Sequence, residues 1–219
     1  MTESLLAWAY NHDNIEHPKY DTLSHSIFMT AKGTLIFALV GLAIRHTFIE
    51  SDPSQSLVPI APAIGLFLLA YLVIMISSRY LENGCISIYE FLWACNQSML
   101  LAAIGCLTND STLIRIVLVV VSVDQLLWYI DLLGFIVKRK FYIGVAKYII
   151  WPETSKMRLA TTFHHIWFLP LCLWIIHPSA KYLSFTPQIY ILSCAFSLVL
   201  AIIGRITTPK SITIKKAGE

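Results

Sequence analysis

At 219 residues, with 57% apolar and 13% charged residues and a mean hydropathy of +0.68, the chain lies far from the ~25% charged content of ordinary soluble domains, which excludes a soluble globular protein. A net charge of +3 is too small for a nucleic-acid-binding surface, so no nucleic-acid partner is expected. Five cysteines, Cys85, Cys95, Cys106, Cys172 and Cys194, fall in or beside apolar runs without a CxxC spacing. That pattern indicates neither a disulfide framework nor a zinc knuckle, and all five read as small packing residues, the alternative for Cys95, beside Asn96, being a nucleophile.

Residues 1–26 form an arm without the basic start or small-residue cleavage site of a signal peptide, so it is expected to be retained on the cytoplasmic side. Within it His12, Glu16, His17 and Asp21 have i, i+4 spacings suited to metal ligation, but Pro18 interrupts a continuous helix there. The plainer reading is an acidic surface arm whose Leu5, Leu6 and Trp8 rest at the membrane interface.

Six apolar runs follow in a domain spanning 27–205, at about 27–48, 58–78, 87–107, 112–137, 159–177 and 187–205. Each is measured against the ~20 residues needed to cross ~30 Å of hydrocarbon. Turn residues separate them, as in ENG at 82–84, TNDS at 108–111 and HPSAK at 177–181. Connections this short make neighbouring helices antiparallel. The expected fold is therefore all-α: a polytopic membrane bundle of six transmembrane helices, closed by a basic cytoplasmic tail at 206–219.

With six spans, one side of the membrane holds twelve bases (Lys19, Arg79, Lys138, Arg139, Lys140, Lys147, Lys156, Arg158, Arg205, Lys210, Lys215 and Lys216). The other holds three, Arg45, Arg115 and Lys181, with Lys32 left aside as able to snorkel. The positive-inside rule then puts both termini in the cytoplasm. The loop 138–158 mixes bases with Phe141, Tyr142, Tyr148 and Trp151. It reads either as a short interfacial helix between the fourth and fifth spans, resting on membrane lipids, or as an extension of the fourth helix.

Ionisable residues inside the runs are the candidate site, because a carboxylate at the bilayer centre costs roughly 2.5 to 3.5 kcal/mol and usually faces protein. At 1.5 Å per residue, Glu90 lies about 5 Å in from the cytoplasmic side, Gln97 about 15 Å, Asp131 about 9 Å, Asp124 about 20 Å, and His164 and His165 about 8 to 9 Å. Glu90, Asp131 and one histidine thus share a layer. Asp124, Trp128 and Asp131 line one stripe, and Glu90, Trp93 and Gln97 another, with Asn96 adjacent. Adjacent helical positions point about 100° apart, so only one histidine is expected to face the layer. His165 is favoured because its stripe continues to Cys172, and His164 remains a candidate. Pro170 is expected to bend the fifth helix and free the Ile166 carbonyl.

The catalytic candidates are therefore Asp131, His165, His164 and Glu90, the binding candidates Asp124, Trp128, Gln97 and Asn96, and the metal candidates Asp131 and His165, a divalent ion such as zinc being the cofactor such ligands suit. Three readings follow: a membrane-embedded enzyme acting on a lipid or amphiphile, a proton-coupled transporter or channel using Asp131 and Asp124 as a ladder, or a non-catalytic assembly or partner subunit. A structural role for the polar layer, as hydrogen-bonding glue between helices, is the remaining alternative.

The order LWACN (92–96), DQLLWYIDLL (124–133), YIIWPE (148–153) and FHHIWFLPLCLW (163–174) resembles multi-pass integral membrane proteins of uncharacterised function, over about 85–176. The resemblance implies a helix with an aspartate after a tryptophan, an acidic-proline loop and a helix with histidine before a Trp/Leu/Pro run; it implies no activity. The buried Asp and His are also similar to those of ceramidase-like membrane hydrolases. Here, however, His164 and His165 are adjacent and the spaced His-x-x-x-His is absent, so a three-histidine metal site is not implied.

Overall fold

The computed structural model describes residues 22–48, 56–152, 154–178 and 186–207. All regular structure among them is helical, in the order α1 (Leu23–Phe48), α2 (Ala61–Asn83), a 3₁₀ segment (Gly84–Leu92), α3 (Ala94–Thr108), α4 (Ser111–Lys138), a 3₁₀ turn (Lys147–Ile150), α5 (Lys156–Thr162), α6 (His164–Ile175) and α7 (Pro187–Thr207). The N-terminal set His12, Glu16, His17 and Asp21, and the tail beyond Thr207, lie outside the described residues.

Four helices are long and apolar enough to cross a bilayer, at Leu23–Gly41, Ala61–Glu82, Ser111–Lys138 and Pro187–Thr207, which makes this a multi-pass membrane protein. Each keeps large apolar side chains on its outer face, among them Phe67 and Val73 on α2, Leu133 and Val137 on α4 and Ile191 and Leu198 on α7. In water such a surface would be an association liability; in hydrocarbon it is the required solvent-facing surface.

The third and fifth apolar runs are not single helices. The third breaks at Trp93, whose backbone is extended (φ −66°, ψ 146°) between the 3₁₀ segment and α3. No proline causes the break. Two amides support it: Asn96 Nδ2 donates to Glu90 O at 2.7 Å, and Gln97 Nε2 donates to Phe91 O at 2.9 Å. These cover carbonyls near the end of the 3₁₀ segment, which would otherwise be costly to bury. The fifth run divides at Phe163 into α5, capped by Ser155 Oγ accepting from Arg158 N at 2.9 Å, and α6.

Hydrogen bonds fix how these broken segments run. At one end of α2, Leu57 N donates to Asn109 Oδ1 just after α3, and Val58 N donates to Ile175 O at the end of α6. At its other end, Arg79 meets Glu90 of the 3₁₀ segment, and Glu90 in turn pairs with Arg158 of α5. Both segments therefore run beside α2 from end to end. The larger apolar core, including Leu68, Met99, Ala103, Val117, Phe168 and Cys172, lies between α2, α3, α4 and α6; a smaller one around Phe37, Leu192 and Phe196 joins α1, α4 and α7.

Pro170 frees a carbonyl, as expected. Lacking an N–H, it leaves the Ile166 carbonyl without its helical donor, and Tyr129 Oη of α4 donates to that carbonyl at 2.9 Å. One turn earlier on α4, Gln125 Oε1 accepts from Leu169 N at 2.9 Å. The helix around Pro170 is thus held by two polar side chains of α4.

Candidate functional site

Where α2, the 3₁₀ segment, α5 and the loop before it meet, they enclose a cavity of about 1030 Å³. Its walls combine Met75, Ile76, Phe91 and Trp151 with Arg79, Glu90, Lys147 and Arg158, and Cys95, His164 and His165 also line it. Glu90 is held between two guanidinium groups: Arg158 Nη2 donates to its two oxygens at 3.1 and 3.2 Å, and Arg79 Nε lies 3.6 Å from Oε2. Arg79 is a buried ion-pair partner inside α2, not the loop base that the charge count assumed. Its Nη1 is a buried donor with no hydrogen-bond partner.

The two histidines converge, contrary to the expectation from their adjacency. Their ring centroids are 4.0 Å apart. The 100° separation applies to Cα–Cβ directions in an unbroken helix, and these residues follow the discontinuity at Phe163, where both rings turn back on the preceding chain. His164 Nδ1 lies 2.7 Å from Thr161 O, and His165 Nδ1 lies 3.0 Å from Thr162 O. A carbonyl oxygen only accepts, so each Nδ1 carries the proton and each Nε2 presents a lone pair. Thr161 O also accepts from Tyr71 Oη at 2.6 Å, which fixes this turn against α2.

The two Nε2 atoms have different surroundings. His164 is 3% exposed, and its Nε2 has no hydrogen-bond partner. His165 stacks on Trp128 of α4, with centroids 5.4 Å apart and planes 15° from parallel, and its Nε2 lies 3.6 Å from Asp124 Oδ2. Cys95, the second residue of α3, completes the group: its Sγ and one ring nitrogen from each histidine all lie within 4.8 Å of one another. The break at Trp93 positions it, because Cys95 opens a new helix there instead of continuing the previous one.

Asp131 is elsewhere. Its carboxylate accepts from three backbone N–H groups of the loop after α4: Ile143 at 2.7 Å, Gly144 at 2.8 Å and Ala146 at 3.0 Å. It does not line the cavity, so the anticipated layer of Glu90, Asp131 and a histidine is not assembled. Helix position gave Asp131 a depth, but a loop folding back beneath α4 decided its partners. That loop is not an extension of α4, which ends at Lys138 with Arg139 in the left-handed conformation (φ 53°), and a 3₁₀ turn stands where the short interfacial helix was expected. It contains one 3₁₀ turn, with Tyr142, Ile150 and Trp151 half exposed.

Tyr148 of that turn reaches the site from outside the spans, its Oη donating to Thr162 Oγ1 at 3.3 Å, and burial raises its phenol above the ordinary range. Of the binding candidates, Asn96 lines the cavity, Gln97 braces the helix break and also donates to Thr34 Oγ1 at 3.2 Å, and Trp128 supports His165. Asp124 is half exposed beside the cluster. Cys95, Arg79 and Arg158 were not singled out for the site by the sequence, because their partners are remote along the chain. No family model, curated protein or solved structure matches this chain.

Proposed function

We propose that the protein is a six-pass membrane enzyme, with both termini in the cytoplasm, that acts on the polar head of a lipid or other amphiphile. The observation that carries this reading is the mixed character of the 1030 Å³ cavity. That volume is at the upper end of the ~300–1,000 Å³ of small-molecule sites. Three cationic side chains, Arg79, Lys147 and Arg158, face two acidic ones, Glu82 and Glu90, while Trp93, Trp151, Met75 and Ile76 supply apolar walls. Such a lining suits a molecule with an anionic or strongly polar head and an apolar remainder. Trp93 and Trp151 are also half exposed at the molecular surface, as residues at a membrane interface commonly are.

The third and fifth passes in this reading are the broken segments 84–108 and 156–175. Their end-to-end course beside α2 supports this, as does their length: at about 2.0 and 1.5 Å per residue for 3₁₀ and α structure, they extend roughly 40 and 30 Å, enough for a ~30 Å hydrocarbon layer. The excess of bases on one side then makes the cavity end cytoplasmic. The reactive groups are the two imidazole Nε2 atoms and Cys95, with Arg79 and Arg158 binding the head. An isolated carboxylate ladder finds less support, since Asp131 is occupied by the loop.

Lipid extracts of cells expressing the wild type and His165→Ala at matched levels, compared by mass spectrometry, test the activity. The expected result is a set of lipids with altered head groups in wild-type cells alone. Indistinguishable profiles would overturn it.

A further inference from the structure

We propose that Cys95, His164 and His165 form a site for a zinc-class divalent ion, three protein ligands with a fourth position facing the cavity. The inference concerns the cavity already described, but it stands on ligand geometry and not on which substrate enters. Three observations converge.

The first is donor chemistry: one thiol and two imidazoles, brought from α3 and from the start of α6, place their ligand atoms within 4.8 Å of one another. A tetrahedral ion at ~2.1 Å from nitrogen and ~2.3 Å from sulfur holds such atoms about 3.5 Å apart, so the side chains close by roughly 1 Å on loading.

The second is tautomer. Metal-ligating histidines generally commit their other ring N–H to a carbonyl or carboxylate, and both Nδ1–H groups are so committed, to Thr161 O and Thr162 O. Nε2 is then the one nitrogen each ring has left to offer a metal, and Trp128 stacked on His165 restricts that ring.

The third is an unmet requirement. His164 Nε2 is buried without a hydrogen-bond partner, on a residue that is 3% exposed. An acceptor left so is costly unless a ligand uses it. The thiol, for its part, sits in the first turn of α3; on binding, its proton is released to water.

Mixed sulfur and nitrogen donors select zinc-class ions over magnesium or calcium, which take oxygen. Three protein ligands with access to a cavity correspond to the open arrangement of reactive zinc sites. Asp124 Oδ2 lies 3.6 Å from His165 Nε2.

The test uses the full-length protein in detergent. Metal analysis after purification from zinc-supplemented medium is expected to give one equivalent of zinc. Cobalt added to the stripped protein is expected to produce visible bands of tetrahedral Co2+ together with a thiolate-to-cobalt charge-transfer band. Cys95→Ser removes the charge-transfer band. His164→Ala and His165→Ala weaken cobalt binding by about 100-fold or more, beyond the 10- to 100-fold typical of outer-shell partners. Cys194→Ser and Asp131→Asn keep both the band and the affinity. Gel-filtration profile and helical circular dichroism establish that each variant is folded; should His164→Ala misfold, His164→Gln replaces it. Absence of the charge-transfer band in the folded wild type, or its persistence in Cys95→Ser, would overturn the assignment.

Discussion

Asp131 on α4 and His164 at the start of α6 are both buried polar side chains within the bundle, yet they differ in how their hydrogen-bonding capacity is used. The Asp131 carboxylate takes three backbone N–H groups from the loop after α4. His164 spends only its Nδ1–H on the chain and keeps a buried lone pair unused. Burial and charge alone would rank Asp131 as the functional residue. Saturation reverses that ranking: a satisfied buried group is architecture, and an unsatisfied one that faces a cavity is available to a ligand.

The largest expected effect breaks the satisfied side of this comparison. Asp131→Ala orphans three N–H groups and is expected to destabilise the protein by about 3 to 5 kcal/mol, some of the loss being recovered by water at the loop. Thermal melting in detergent and faster proteolysis between Lys138 and Ser155 would register it; an unchanged melt would mean that the loop is held by something else. Glu90→Ala is next, at about 3 kcal/mol, because it leaves Arg79 and Arg158 as adjacent uncompensated charges. Combining it with Arg158→Ala should cost clearly less than the sum of the two single changes.

Gly134→Ala probes the same loop sterically. A Cβ there would lie 2.6 Å from Tyr142 Cδ2 and 2.7 Å from the backbone oxygen of Lys140. The ring can move but the backbone has little freedom, so about 1 to 3 kcal/mol is expected. Ser155→Ala removes the cap of α5 and its hydrogen bond to Glu82, for about 1 kcal/mol. Cys95→Ser, a near-isosteric change, should shift the melt of the metal-free protein least, by under ~1 kcal/mol.

The sequence made the long helices legible because hydropathy and length decide them: runs at 27–48, 58–78, 112–137 and 187–205 became Leu23–Phe48, Ala61–Asn83, Ser111–Lys138 and Pro187–Thr207. Pro170 and its freed carbonyl were equally legible, since the missing N–H is covalent fact. The breaks at Trp93 and Phe163 were not, because neither carries proline or glycine and their support comes from side chains and from α2. Those breaks are what bring Cys95 and both histidines together. Depth along a helix could therefore place Asp131 and Glu90 at similar levels while giving no account of which way each turns. Cys95 looked like a packing residue for the same reason: its partners are some seventy positions away along the chain.

The contrast between saturated and unsaturated buried groups is tested most directly by melting temperature in detergent, with and without zinc, for the wild type, Asp131→Asn and Cys95→Ser. Binding to the folded state alone adds about 2.7 kcal/mol at a hundredfold excess over Kd. The account predicts that Asp131→Asn melts lower than the wild type but keeps the zinc-induced rise, whereas Cys95→Ser melts like the metal-free wild type and loses the rise. A Cys95→Ser protein that retains the full rise, or an Asp131→Asn protein that melts normally and loses it, would contradict the assignment of architecture to one group and ligand binding to the other.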